Sequence, residues 1–512
     1  MRNQNFKQFP LLARRLVLAA AVSAAMAGCA VGPNFHTPEA PAAAQGDNYT
    51  PTAVPSQTAS APVAAGAAQH LAMGQDIPAA WWSLFHSPDL DQLIQAALKQ
   101  SPSMAAAEAA LREAQENYKA QNGTLSYPSV TGQLGAGRER ESQVTTGIPG
   151  GTLFNLYNAS VNVAYSPDVF GSTRRALEGA QAAVDYQRFQ LEATYLTLTA
   201  NVVTTAIREA SLRAQLKATQ EVLDALTKQL DLIEKQFQFG AIPRSTLLTQ
   251  RNQVAQTAAT LPPLEKALAQ TRHQLSALVG KLPSEGGVAE FNLDSLTLPQ
   301  ELPVSLPSAL ARQRPDVRAS EELLHEASAQ VGVATAAQYP QFSLTASYGT
   351  TALTPHQMFD PGTTAWSLLA GLTQPIFNGG ALTAKRRAAE AAYDQAAAQY
   401  KSTLLTAFQN VADSLRALDS DASALKSQAQ ADAFAAESLA LAQQQYKLGA
   451  ISYLVLLDAQ RTYQQSHINL VQAQAARYAD TAALFQALGG GWWNRPAGAD
   501  SSARADAPNN NN

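Results

Sequence analysis

The chain has 512 residues, 46% of them hydrophobic and 15% charged, with a formal net charge of −4 and a pI near 6.0. No basic excess is available for nucleic acid, which excludes that class of partner. Alanine supplies much of the apolar share, mean hydropathy is −0.15 and aromatics are only 7%. Such a composition favours helix but buries little area, so a large globular core is not expected.

Arg2, Lys7, Arg14 and Arg15 precede a short apolar run, Leu16 to Ala27, closed by small residues. This is a secretory signal, too short to span a bilayer. It ends at Gly28-Cys29 and resembles a bacterial lipoprotein signal, in which the cysteine becomes the lipidated first residue. Cys29 is the sole cysteine, so no disulfide competes for it. Residues 1–28 are therefore expected to be a leader and Cys29 a lipid-attachment site, with no cofactor besides that covalent lipid. Met26 stands where such signals more often carry Leu. Ala30 in place of Asp favours sorting to the outer membrane. Residues 29–76 are rich in Ala, Pro, Gln, Thr and Ser and read as an extended lipidated linker. The last residues, 494–512, read as a disordered tail. Beyond the leader no segment approaches the ~20 apolar residues of a membrane helix. Entry into a bilayer other than by the lipid must then use strands.

Between linker and tail the chain repeats itself. Ser101 to Ala114 resembles Arg314 to Ala327, with Pro102 answering Pro315 at a displacement of 315 − 102 = 213. Tyr127-Pro128 answers Tyr339-Pro340, Asn201-Val202 answers Asn410-Val411, and FQFGAI at Phe237 answers YKLGAI at Tyr446; the last displacement is 446 − 237 = 209. These matches mark a duplication of a unit of about two hundred residues, far longer than a solenoid repeat. The units are placed at 77–290 and 291–493.

Each unit has one grammar: a short helix, two strand-like runs, a very long helix, a Gly turn and a returning helix. The expected strands are Ser129 to Arg140, Asn155 to Ser166, Pro340 to Gly349 and Thr364 to Gln374. Alternation puts Tyr157, Ala159, Val161, Val163 and Tyr165 on one face of the second run, and Phe342, Leu344, Ala346 and Tyr348 on one face of the third. In the fourth, Trp366, Leu368, Ala370 and Leu372 line up. Runs of about ten residues with this pattern fit membrane strands around a wet lumen, and also a soluble sandwich with one exposed face. Four strands cannot close a barrel, and an open edge is not tolerated in lipid. If the strands lie in a membrane, several chains must pool them. Ser172 to Gln238 lacks proline, and Leu212, Leu216, Leu223, Leu226, Leu230, Ile233 and Phe237 form a heptad seam that Leu191, Tyr195, Leu198 and Val202 continue. Tyr393, Tyr400, Leu404, Val411, Leu415, Leu418 and Leu425 repeat it in the second unit.

CAVGPNFHTP (Cys29 to Pro38), WWSLFHSPDLDQLIQAAL (Trp81 to Leu98), the Tyr446 to Gln460 turn and the order of elements together resemble the outer membrane efflux lipoproteins of the TolC and OprM type, in the NodT-like branch. The resemblance covers nearly all of the mature chain. It implies an α+β fold: long helices forming a trimeric periplasmic α-barrel, and four strands per chain forming one twelve-stranded outer membrane β-barrel. It also implies a homotrimer in outer membrane lipid, exporting small toxic compounds with a periplasmic adaptor protein and an inner membrane RND-type pump.

Gly240 and Gly449 stand where each long helix must stop, as C-caps do. By resemblance these turns form a periplasmic tip where the adaptor docks, with contact assigned to Phe237, Gly240, Ala241, Ser245, Tyr446, Gly449, Ala450 and Ser452. The alternative is that they merely end helices. Asp458 matches a position where the family places a carboxylate ring at the pore constriction, able to attract cations; otherwise it is a solvated helix charge. Ile451, Val455 and Thr246 stand where some relatives carry charged partners, so closure here is expected to be more apolar. No GxxxxGK[ST], HExxH or GxSxG segment occurs and the seven histidines are scattered, so an enzyme is not expected. Two other readings stay open: the outer channel of a type I protein secretion system, and a non-conducting lipoprotein that spans the periplasm.

Overall fold

The computed structural model describes residues 30–39, 48–52 and 54–495. The leader, Cys29 and the tail from residue 496 lie outside them. The described chain forms two compact units that interleave in sequence. One draws on residues up to Pro38 with Ala110–Gln187 and Ala319–Tyr400; the other on Glu39–Ala109, Arg188–Arg318 and the chain from Lys401.

In the first unit, α2 (Pro102–Ser126, following α1, Pro88–Gln100) leads into β2 (Ser129–Glu141), and a loop returns as β3 (Thr152–Tyr165). The duplicated pair is β5 (Gln341–Ala352) and β6 (Thr364–Thr373). All four join one antiparallel sheet in the order β2-β3-β5-β6. The register brings the apolar alternate positions onto one face: Val130 opposite Val163, Val161 opposite Tyr348, Tyr348 opposite Trp366 and Ala346 opposite Leu368. The expected strands are all present, and β3 starts three residues earlier than its alternation suggests. At the head of the sheet the N-terminal segment is strapped down. Val31 donates its N–H to Phe170 O at 3.1 Å, the buried Arg175 bonds Asn34 Oδ1 at 2.6 Å, and Phe35 stacks on His325 at 4.3 Å.

The second unit is helical. It holds most of α3 (Ser172–Gln238), then α4 (Arg244–Ala258) and α5 (Leu261–Leu278). It also holds α6 (Pro307–Gln313), most of α8 (Ala381–Lys447) and α9 (Tyr453–Ala487); α7 (Pro315–Ala336) belongs mainly to the first unit. The α3 boundaries are those expected. The single returning helix of the first repeat is instead two, because Pro262 and Pro263 lack N–H donors and are tolerated only in a first helical turn. The α8 seam is buried from Tyr400 to Leu425, with Tyr393 exposed. The α3 seam is less complete: Leu226 and Ile233 are buried, whereas Phe237 is 37% exposed.

The linker reading needs correction. Gln69 is fully buried, donating to Pro299 O and Thr481 Oγ1, both at 2.9 Å, and accepting from Arg477 at 2.7 Å. β1 (His70–Met73) pairs in parallel with β4 (Glu301–Val304), and Ala61 and Val63 cover Leu425 and Leu470. Small and polar residues bind here through backbone pairing and amide bonds, which hydropathy does not register. Asn494 and Arg495, assigned to the tail, are packed too: Asn494 Nδ2 donates to Ile77 O at 2.8 Å, and Arg495 pairs with Glu192.

Beside Arg477, burial pushes the Asp480 carboxyl up to about 7, reinforced by hydrogen bonding and repulsion from Asp421 and opposed by Arg477. The unfolded chain loses that proton near the usual 3.8, so between about pH 4 and 7 only the folded state holds it. Stability therefore falls as pH rises through that window. Asp480→Asn should flatten the slope and melt higher than wild type at pH 8, as followed by circular dichroism in detergent. A wild-type slope retained in the variant would assign it to another group.

Candidate functional site: sheet face and helix turns

Two features have the chemistry of a conduit. The first is the sheet. Its strands run 10 to 14 residues, enough to cross a hydrocarbon core when tilted. The face that carries Val130, Leu134, Val161, Tyr348, Trp366, Leu368 and Leu372 is exposed, Leu134 by 86% and Trp366 by 76%. A water-soluble sheet would cover such a face. The opposite face is small and polar: Ser347 Oγ lies 2.9 Å from Ser367 Oγ, and Asn162 donates to Ser160. Phe154, Leu156 and Leu369 are the large apolar exceptions there. Tyr127, Tyr339 and Phe377 stand exposed around the helix-side ends of the strands, as an interfacial aromatic girdle does. β2 and β6 are open edges. No helix among the described residues is long and apolar enough to cross a membrane.

The second feature is the pair of turns after α3 and α8. At each, the glycine takes a left-handed conformation, φ +72° at Gly240 and +71° at Gly449. Each repeats one bonding pattern: Gly240 N–H to Phe237 O at 2.9 Å and Ala241 N–H to Gln236 O at 2.8 Å, then Gly449 to Tyr446 at 3.0 Å and Ala450 to Gln445 at 2.9 Å. This is the Schellman motif, which satisfies carbonyls at a helix end. The structure brings the assigned turn residues into two such corners; Gly240, Ala241, Ser245, Gly449, Ala450 and Ser452 are exposed. Asp458 is exposed a little further along α9, beside Val455, and Thr246 and Ile451 are half-buried.

Between the corners lies a contact that sequence reading missed. Ile233, Leu247, Tyr453 and Leu457 pack together, with Tyr446 and Ile242 against them. The Tyr453 hydroxyl donates to Gln250, Arg461 donates to Gln253 at 2.6 Å, and Gln460 donates to Gln229. Burial pushes the Tyr453 hydroxyl up to about 12, so it stays a donor at any physiological pH. Glutamines on a coiled surface look like solvated positions; only their repeat equivalents would have distinguished them.

The outer membrane efflux protein family matches residues 93–281 and again residues 306–490. The chain belongs to that family. The two matched stretches are offset by 306 − 93 = 213 at their starts and 490 − 281 = 209 at their ends, the displacements of the internal duplication. The chain is similar to the probable efflux pump outer membrane protein TtgC of Pseudomonas putida, 29% identical over 97% of this chain and 100% of that protein. It is also similar to the pyoverdine export outer membrane protein OpmQ of the same species, 32% identical over 80% of this chain and 88% of that one. Among solved structures, the outer-membrane channel OprN matches with a TM-score of 0.80 at 27% identity, covering 91% of this chain and all of that one. The protein VceC of Vibrio cholerae matches at 0.75 and 26%, covering 80% and 98%. The protein is thus an outer membrane efflux channel of α+β fold, and its relatives are transport proteins rather than enzymes.

Proposed function

We propose that three copies close one twelve-stranded barrel, and that the assembly conducts small toxic compounds outward from an inner membrane RND-type pump through a periplasmic adaptor. The observation that carries this is the sheet: four strands with a lipid-compatible outer face and two open edges. β2 and β6 run in opposite directions, so β6 of one copy can continue the antiparallel ladder on β2 of the next, leaving no edge in lipid. The adaptor meets the corners at Phe237, Gly240, Ala241, Ser245, Tyr446, Gly449, Ala450 and Ser452, where both repeats offer the same exposed Schellman geometry. Cys29 carries the lipid. The strap supports this, because Val31, two residues further along the chain, is bonded to Phe170, just beyond β3. No further cofactor takes part.

Asp458 lies at the constriction, where carboxylates from the copies converge and favour cations. Planar-bilayer recordings of purified wild type beside Asp458→Ala test both parts. Small or flickering steps in wild type, with larger or less cation-selective steps in the variant, are expected. Equal conductance would remove Asp458 from the constriction. Silence from both, in inserted protein, would remove the pore.

A further inference from the structure

The four strands of the large sheet carry only four charged residues, consecutive at the hairpin end of β2: Arg138, Glu139, Arg140 and Glu141. A strand's period of two sorts them by sign. Register fixes where each sign goes. Arg138 lies opposite Asn155 and Arg140 opposite Leu153, in line with Leu134 opposite Ala159 and Val130 opposite Val163. Both arginines therefore belong to the exposed apolar face, and both glutamates to the polar one. No carboxylate of the sheet shares the arginines' face, and the β2–β3 loop, residues 142–151, has no charged residue. Neither arginine forms an ion pair among the described residues. Arg140 is oriented by one bond, Nη2 donating to Gly150 O at 3.1 Å.

Depth decides what two cations can do on such a face. Ser129 to Arg138 is 138 − 129 = 9 steps along β2. At ~3.3 Å per residue and a tilt of ~40°, the climb is roughly 23 Å, close to the ~25 Å of a barrel's apolar band. Tyr127 marks the helix-side rim, so Arg138 stands at the far rim, one step beyond Tyr157, which lies opposite Ala136. The helices are at the other end of the strands, so this rim meets the outer leaflet. We infer that Arg138 and Arg140, with the Asn155 amide beside them, bind a phosphate group of an outer-leaflet lipid on the outside of the barrel. Residues two apart on a strand are roughly 7 Å apart at Cα, and two long side chains from that spacing can converge on one phosphate. Guanidinium forks match phosphate oxygens bidentately. The apolar surface around them selects a lipid over a soluble anion: Leu153 is 56% exposed and Leu134 86%, both on the same face and open to acyl chains. The inference rests on the lipid-facing sheet proposed above.

The test is titration of the purified full chain with diphosphorylated lipid A, read by native mass spectrometry. Wild type should retain the lipid, and Arg138→Gln/Arg140→Gln should bind it roughly thirtyfold more weakly. Lipid A stripped of its phosphates should bind both proteins weakly and alike. Glu139→Gln/Glu141→Gln, on the opposite face, should bind as wild type does. Equal affinity of wild type and the arginine variant would overturn the site. So would displacement of lipid A by millimolar inorganic phosphate, which would make the ligand a soluble anion. Insertion into phosphatidylcholine vesicles, read by heat-modifiable migration, separates the site from the sheet it rests on. An arginine variant that inserts but loses lipid A supports the site; failure of wild type to insert would overturn the lipid-facing sheet itself. Should the glutamine pair not insert, Arg138→Lys/Arg140→Lys carries the test, since it keeps both charges and loses only the forks. It should bind lipid A more weakly than wild type, and equal binding would overturn the guanidinium–phosphate contact.

Discussion

Leu368→Arg is expected to abolish stable outer membrane insertion, while Ser367→Arg, one residue away, is expected to be tolerated. Leu368 lies at the middle of β6, opposite Ala346, on the exposed apolar face. A cation there, at the bilayer midplane, costs about 2–4 kcal/mol in a barrel strand. In a three-copy barrel the cost recurs in every chain, so it reaches roughly 6–12 kcal/mol, comparable with the whole stability of a small domain. Ser367 points the other way, toward Ser347, where a side chain can reach water. Heat-modifiable migration and urea extraction of membranes separate the outcomes. Tolerance of both changes would mean that this face does not meet lipid; loss of both would mean that the polar face is not a wet lumen.

That one-residue contrast was legible in the sequence because strand side chains have a period of two, and a face is recoverable from alternation alone. The α3 boundaries were legible for a similar reason: proline is absent from Ser172 to Gln238, and Gly240 follows where a left-handed residue is needed. Other parts were hidden because their binding is polar or cooperative. Gln69 looks like linker, yet its amide is spent on Pro299, Thr481 and Arg477. Ala61 and Val63 are too small to mark a core but suffice to cover one. Pro262 and Pro263 were visible, but whether they end a helix or begin one depends on Thr260 and the turn before them. At the corners, the glycine caps could be read directly. The Tyr453–Gln250 contact could not, since nothing local says that one hairpin lies against the next helix.

The largest loss of folding stability is expected at Trp81. Its side chain is fully buried, tilted against Phe485 with centroids 5.6 Å apart and edge-on to Trp82 at 6.0 Å and Phe85 at 6.4 Å. Phe85 in turn meets Tyr478 at 6.3 Å. This box joins the start of the first repeat to the end of the second, so it closes the helical unit on itself. The glycine run over it leaves no slack: a Cβ at Gly490 would come within 2.4 Å of Leu196 Cδ1, and one at Gly491 within 2.5 Å of Ile77 O. Neighbours this confined cannot collapse into a vacated site. Trp81→Ala should therefore cost the full ~3–5 kcal/mol of a large aromatic truncation. Trp81→Phe should cost clearly less, since the indole Nε1 has no acceptor and only volume is lost. Denaturant titration of purified protein measures both, with limited proteolysis to show whether the helical unit opens first. If Trp81→Ala unfolded at the wild-type midpoint, the box would not be what closes the unit. If Trp81→Phe were as damaging as Trp81→Ala, the indole N–H would be bonding an acceptor, and volume alone would not explain the residue.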